Sequence, residues 1–195
     1  MIPFIGLTGG IGAGKSAALE ALQRLGAATL STDQVVHDLY EDDDVKAAVT
    51  ERFGPAVAPD GAVDRSALAR LAFATPEDRG WLEQMLWPRV SGRIVDWRQG
   101  LEQASKPPRA AVVEVPLLFE SGMENVFDAT IAVVADEDVR AQRAGSRGHA
   151  ALAERSARQL SQQEKAERAT YVVSNDQSIE ALQSKLSTVL DMLGP

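Results

Sequence analysis

The segment Gly9-Gly10-Ile11-Gly12-Ala13-Gly14-Lys15-Ser16 fits the pattern GxxxxGK[S/T], which restricts the surrounding fold tightly. Backbone N–H groups can surround a phosphate only where glycine lets the chain come close, and the positive end of a helix must follow. The flanks meet both demands. Residues 2–7, IPFIGL, form an apolar run of strand length. From Ser16 to Leu25, Ala18, Leu19, Leu22 and Leu25 recur at helical spacing, and Gly26 ends the pattern.

Four more strand-like runs follow, at residues 27–31, 110–115, 130–135 and 170–174. Helical patterns accompany the later ones: 136–147, opened by Asp136, and 179–192, where Ile179, Leu182, Leu186 and Leu190 share a face behind Ser178 as N-cap. Strands alternating with helices imply right-handed crossovers and a parallel sheet covered on both faces. The expected architecture is a three-layer α/β fold with five parallel strands, built from residues 1–33 and 109–195. Residues 34–108 break the alternation. They carry helical patterns, the turn signal Pro59-Asp60-Gly61 and no convincing parallel strand, so a helical insertion is expected, closed by Ser105-Lys106-Pro107-Pro108. With 195 residues, 45% of them hydrophobic, the chain suits one globular unit bearing such an insertion.

Composition removes several classes of function. There is no cysteine, hence no disulfide, thiolate metal site or thiol nucleophile. A net charge of −8 argues against nucleic acid as a partner, since phosphate backbones are bound by surplus Lys and Arg. No apolar run approaches the roughly 18–20 residues of a membrane span, and MIPFIGLTGG lacks the features of an export leader. A soluble, cytoplasmic protein is expected. The acidic run from Glu41 to Asp44 reads as a solvated turn or helix start, and Trp81, Trp87 and Trp97 read as packing residues in helices.

Gly10, Ile11, Gly12, Ala13, Gly14, Lys15, Ser16 and Ala17 form the expected ATP cradle. Lys15 would reach the β- and γ-phosphates, and the Ser16 hydroxyl would ligate Mg²⁺. In an open α/β sheet the carboxyl ends of the strands face the ligand crevice, which selects Asp33 and Glu114. Asp33 is the candidate base for an acceptor hydroxyl, with an N-cap for a helix beginning near Gln34 as its structural alternative. Glu114 is a candidate for organising magnesium through water, or a buried structural glutamate. His37 stands one helical turn beyond Asp33. Arg143 and Arg147 share a helical face with i, i+4 spacing, and with Arg140 they suit a polyphosphate, the alternative being a solvated surface helix. The loop alone does not separate kinases from other nucleotide-driven proteins, although no Asn-Lys-x-Asp guanine signature occurs.

The ordered set LTGGIGAGKS, STD with His37, DGAVDRSALA, VPLLFESG, the arginines of 140–147, Gln159-Leu160-Ser161 with Glu164-Lys165, and Val172-Val173-Ser174-Asn175 resembles the dephospho-coenzyme A kinases. The resemblance implies a P-loop kinase fold and transfer of the ATP γ-phosphoryl group to the ribose 3′-hydroxyl of dephospho-coenzyme A. It also implies a helical acceptor-binding region and a lid over 138–160 carrying Arg140, Arg143 and Arg147. Asp33 would be the base, and Arg65, after Asp64, a contact to the acceptor together with His37 and Glu114. Three positions depart from the family pattern: Ser31 replaces the first acid of Asp-Ala-Asp, Glu114 replaces an aspartate, and Trp87 precedes Pro88 where histidine is common. A nucleoside or nucleotide kinase is the nearest rival reading, and a nucleotide-dependent switch protein the rival from another class. A monomer is the default expectation.

Overall fold

A computed structural model of the chain describes residues 1–145 and 159–194. Its contacts divide the chain into two compact units, one formed by Met1–Ser31 with Gly100–Pro195 and the other by Thr32–Gln99.

The first unit is built on five strands, β1 (Phe4–Gly9), β2 (Ala28–Ser31), β3 (Ala111–Glu114), β4 (Ala129–Val134) and β5 (Tyr171–Ser174). All pairings are parallel, in the order β2-β3-β1-β4-β5. The central strand β1 is buried throughout, as a strand covered on both faces must be. It runs two residues past the apolar stretch read from the sequence because Thr8 and Gly9 still pair with Ala132 and Val133 of β4. The strand therefore delivers the chain directly into the glycine loop.

Side chains alternate across β1 and so define two cores. Ile5 and Leu7 join Val112, Ile131 and Val133 beneath helices α1 (Lys15–Arg24) and, near the C-terminus, residues Ile179–Leu193. Ser178 caps the latter helix by accepting from the Ala181 N–H. On the opposite face the Phe127 ring lies over Gly6, where a Cβ would come within 2.8 Å of it, and stacks at 4.7 Å on Phe4. Thr8 points to this second face.

The second unit contains α2 (Thr32–Leu39), α3 (Asp43–Phe53), α4 (Arg65–Ala72) and most of α5 (Pro76–Glu102). Leu82, Leu86, Val90 and Ile94 repeat every four residues and give α5 its buried stripe. Pro88 sits inside this helix on an exposed face, and Arg89 Nη1 donates to the Met85 carbonyl at 2.8 Å in the same turn. Trp81 is half-buried and meets Phe53 edge to face at 5.6 Å, a packing role. The acidic run starts α3: Asp42 pairs with Arg93, Asp44 with Arg89, and Asp43 with Lys46. Two short helices complete the first unit, α6 (Glu137–Gly145) and α7 (Gln162–Arg168), and the C-terminal helix Ile179–Leu193 is α8. Among the described residues no helix is long and apolar enough to cross a membrane.

Candidate active site

The loop leaves β1 where the sheet order reverses, between β3 and β4, the position at which open α/β sheets bind ligands. Gly12 and Gly14 have φ of 79° and 92°, and neither has room for a side chain. A Cβ on Gly12 would stand 2.6 Å from the Arg140 carbonyl oxygen, and one on Gly14 2.0 Å from Asn175 Nδ2. Gly14 is the N-cap of α1, with no side-chain cap and no acid in the first turn. The positive end of the helix is thus left to an anion supplied from outside. Lys15 Nζ donates to the carbonyls of Gly9 at 3.0 Å and Gly10 at 3.3 Å, folded over the loop it serves. Ser16 is exposed in the first turn.

Three side chains brace the loop from behind. Arg140 Nε donates to the Ile11 carbonyl at 3.0 Å, and Asn175 Nδ2 donates to the Ala13 carbonyl at 2.9 Å. Arg143 Nη1 donates to the Asn175 carbonyl at 3.2 Å, while the Asn175 N–H donates to Val134 at 2.8 Å. Arg140 and Arg143 are half-buried and tied to the loop and its support. Arg147 lies outside the described residues, as does most of 138–160. Beside the loop is a cavity of about 430 Å³, lined by Gly10, Ile11, Arg140, Leu160, Ser161 and Gln163. Glu114 ends β3, buried and in register with Leu7 and Ser31.

In the helical unit, α2 begins at Thr32 and not near Gln34. Asp33 accordingly lies in the first helical turn, exposed, and is not the N-cap. The strand passes into the helix with no intervening turn, so the cap reading lacks the extra residue it needs. His37 follows one turn later. Asp64 caps α4, accepting from the N–H groups of Ser66 at 2.9 Å and Ala67 at 3.0 Å, and this fixes Arg65 at the helix start. Arg65 Nη1 lies 3.2 Å from His37 Nδ1. A guanidinium can only donate, so His37 Nδ1 accepts and the ring proton is assigned to Nε2. The neighbouring Tyr40 hydroxyl is pushed up by burial, an effect the Arg65 charge partly opposes. The candidate residues thus fall into two groups: the loop, Glu114, Arg140 and Arg143 in the sheet unit, and Asp33, His37 and Arg65 in the helical unit.

Sequence reasoning missed Asn175 as a brace of the loop and Lys165 as a buried group. Asn175 follows β5, so the strand-end rule that selected Asp33 and Glu114 would have found it. Lys165 lies among Gln162, Gln163, Glu164, Glu167 and Arg168, and such a helix reads as wholly exposed. Among the described residues no group of three or more His, Asp or Glu side chains is placed to hold a metal ion.

The family model for dephospho-CoA kinase matches residues 3–181. The dephospho-CoA kinase of Deinococcus radiodurans is 37% identical over 194 residues, covering 97% of this chain and 91% of its own. That of Protochlamydia amoebophila is 36% identical over 186 residues, covering 93% of this chain and 92% of its own. A crystal structure from Thermus thermophilus superposes with a TM-score of 0.81 at 33% identity, covering 100% of this chain and 99% of the other.

Proposed function

The chain belongs to the dephospho-CoA kinase family, and from that premise we propose how its own residues divide the work. The reaction moves the γ-phosphoryl group of ATP to the ribose 3′-hydroxyl of dephospho-coenzyme A, yielding coenzyme A and ADP in the last step of coenzyme A synthesis. The observation that carries the assignment of roles is the braced loop, held between a buried strand and an uncapped helix with two arginines behind it.

Gly10 to Ala17 bind the ATP phosphates. Lys15 leaves the Gly9 and Gly10 carbonyls for the β- and γ-phosphates, offsetting charge as the terminal group departs. In the proposed reaction Arg143 leaves the Asn175 carbonyl to stabilise the transferring group, and Arg140 and Arg147 serve the polyphosphate. Asp33 orients the acceptor hydroxyl and takes its proton, a role supported by its exposed place directly after β2. Arg65, His37 and Glu114 hold the acceptor, with the His37 Nε2–H available as a donor beside the Arg65 charge.

Mg²⁺ suits this donor set. It needs few protein ligands when phosphate oxygens and water fill the rest, and the exposed Ser16 offers a hydroxyl just after the loop. When bound, the ion supplies charge neutralisation along the polyphosphate. The acidic net charge of −8 supports a small-molecule partner and no nucleic acid, and we place the protein in the cytoplasm as a monomer.

The test is magnesium-dependent ADP formation from ATP with dephospho-coenzyme A, against no acceptor and a nucleoside panel, with the product identified by mass spectrometry. Coenzyme A is the expected product. Turnover only with a nucleoside would move the chain to another kinase specificity, and acceptor-independent hydrolysis would make it a switch.

A further inference from the structure

Lys165 is 0% exposed, although it stands on α7 among charged neighbours. Lysines are almost never fully buried unless paired, because an uncompensated interior charge is costly. Its ammonium has three N–H donors, and three acceptors meet it: the Pro116 carbonyl at 2.6 Å, Glu120 Oε1 at 2.9 Å and Thr8 Oγ1 at 3.3 Å. Thr8 in turn donates to the Pro116 carbonyl at 3.3 Å, which closes the network.

What these acceptors belong to gives the network its meaning. Thr8 is the residue of β1 directly before Gly9, on the face away from α1, so it is the root of the phosphate loop. Pro116 lies two residues past Glu114, at the exit of β3. Glu120 Oε1 also accepts from the Leu160 N–H at 2.8 Å, immediately before Ser161 opens the capping box of α7. One buried charge therefore ties three separate chain segments around the carboxyl ends of β1 and β3.

Stability alone is a poor reason for this arrangement. Replacing a buried ion pair by apolar groups of similar volume is often neutral or stabilising. Here Glu120 Oε2 is buried with no hydrogen-bond partner among the described residues, a further cost. Burial also pushes the Lys165 ammonium down from its ordinary range, and the Glu120 carboxylate counters this.

We propose that Lys165 is a positioning residue for phosphoryl transfer, its ammonium fixing the phosphate-loop root, the chain after Glu114 and, through Glu120, the chain at Leu160. It touches no reacting atom in this role. It rests on the reading of the loop as the ATP site, and it acts by holding transfer geometry to within a fraction of an ångström.

Two sets of variants test it alongside the wild-type protein. Lys165→Met should lower the melting temperature, since the Glu120 carboxylate loses its counter-charge, and the double variant Lys165→Met with Glu120→Leu should recover part of that loss, the Leu160 N–H having lost its acceptor. In that double variant kcat should remain about 10- to 100-fold below wild type, the scale of a small misplacement, with both KM values little changed. Thr8→Val removes one acceptor at nearly constant volume; it should lower the melting temperature modestly and, assayed well below that temperature, lower kcat with both KM values little changed, whereas Thr8→Ser should keep wild-type kcat. A double variant, or a Thr8→Val protein, that turns over at the wild-type rate would overturn the proposal. Failure of the wild-type protein itself to phosphorylate dephospho-coenzyme A would sink the underlying reading instead, and that outcome is separate from any ratio of variant to wild type.

Discussion

The sheet unit and the helical unit handle polar groups in opposite ways. Besides the aromatic Tyr40 of the helical unit, six polar or charged residues are buried among the described residues, and Thr8, Glu114, Thr130, Lys165 and Asn175 belong to the sheet unit while Thr32, at the boundary, belongs to the helical one. The helical unit keeps its charges outside, in pairs such as Arg52 with Asp78 at 2.8 Å, Arg89 with Asp44 at 2.7 Å and Arg93 with Asp42 at 3.0 Å. Buried hydrogen bonds fix positions, because an alternative arrangement leaves a group unsatisfied at a cost of about 1–3 kcal/mol. Exposed pairs fix little. The unit that carries the glycine loop is thus the one whose interior is fixed by buried polar contacts, and on the proposed division of roles the helical unit, held at its surface by exposed pairs, is the one that takes the acceptor.

Breaking the comparison at its strongest point means removing Lys15. Lys15→Ala should lower kcat/KM by on the order of 10³, through lost charge stabilisation at the transferring group. Initial-rate measurements of ADP release decide this, and unchanged catalytic efficiency would overturn the phosphate-loop assignment. Asp33→Asn comes next. It should leave ATP binding largely intact while reducing transfer by about 10²- to 10⁴-fold, the usual share of a general base. Near-normal turnover would confine the chemistry to the sheet unit and leave the helical unit only a binding role.

Arg65→Ala sharpens the comparison from the acceptor side. Loss of a charge-assisted contact should raise the KM for dephospho-coenzyme A by about 10-fold or more and leave the KM for ATP unchanged. Isothermal titration with each substrate separates the two effects. An equal loss for both would mean that Arg65 maintains the unit as a whole and does not read the acceptor.

How legible all this was in the sequence also differs between the units. The loop, its strand and its helix could be placed because glycine, lysine and serine occupy fixed offsets and the flanking periodicity changes from strand to helix. The end of β1 was set too early, since Thr8 and Gly9 look like loop residues until β4 pairs with them. Asp33 was selected by a topological rule, but its backbone state depended on whether a turn separates β2 from α2, which local composition does not encode. Lys165 was invisible as a buried group because burial of a single charged residue is decided by partners from distant segments, at Thr8, Pro116 and Glu120. The pairing of Arg89 and Arg93 with the acids before and within α3 was hidden for the same reason.

The smallest effects should come from those exposed pairs. The Arg89 hydrogen bond holds the Asp44 carboxyl below the usual carboxylate range, and for Asp78 the Thr75 hydroxyl, joined by Arg52, does the same. A carboxyl whose pKa is depressed by folding contributes stability that is whole above the ordinary aspartate value of about 4 and is lost as pH falls through the depressed value. Arg89→Ala and Arg52→Ala should therefore lower the melting temperature by no more than about 3 °C each at neutral pH, less in high salt, and less again in acid where the partner carboxyls are protonated. Arg52 also lies over the Trp81 ring at 5.8 Å and Arg89 also donates to the Met85 carbonyl at 2.8 Å, so part of each effect should survive both salt and acid, and only the part due to the carboxylate pair should fall. Melting curves at two ionic strengths and two pH values make the distinction. A loss on Arg89→Ala as large at low pH as at neutral pH would show that the contacts of Arg89 within α5, its stem and its bond to the Met85 carbonyl, and not its pair with Asp44, are what the helical unit uses.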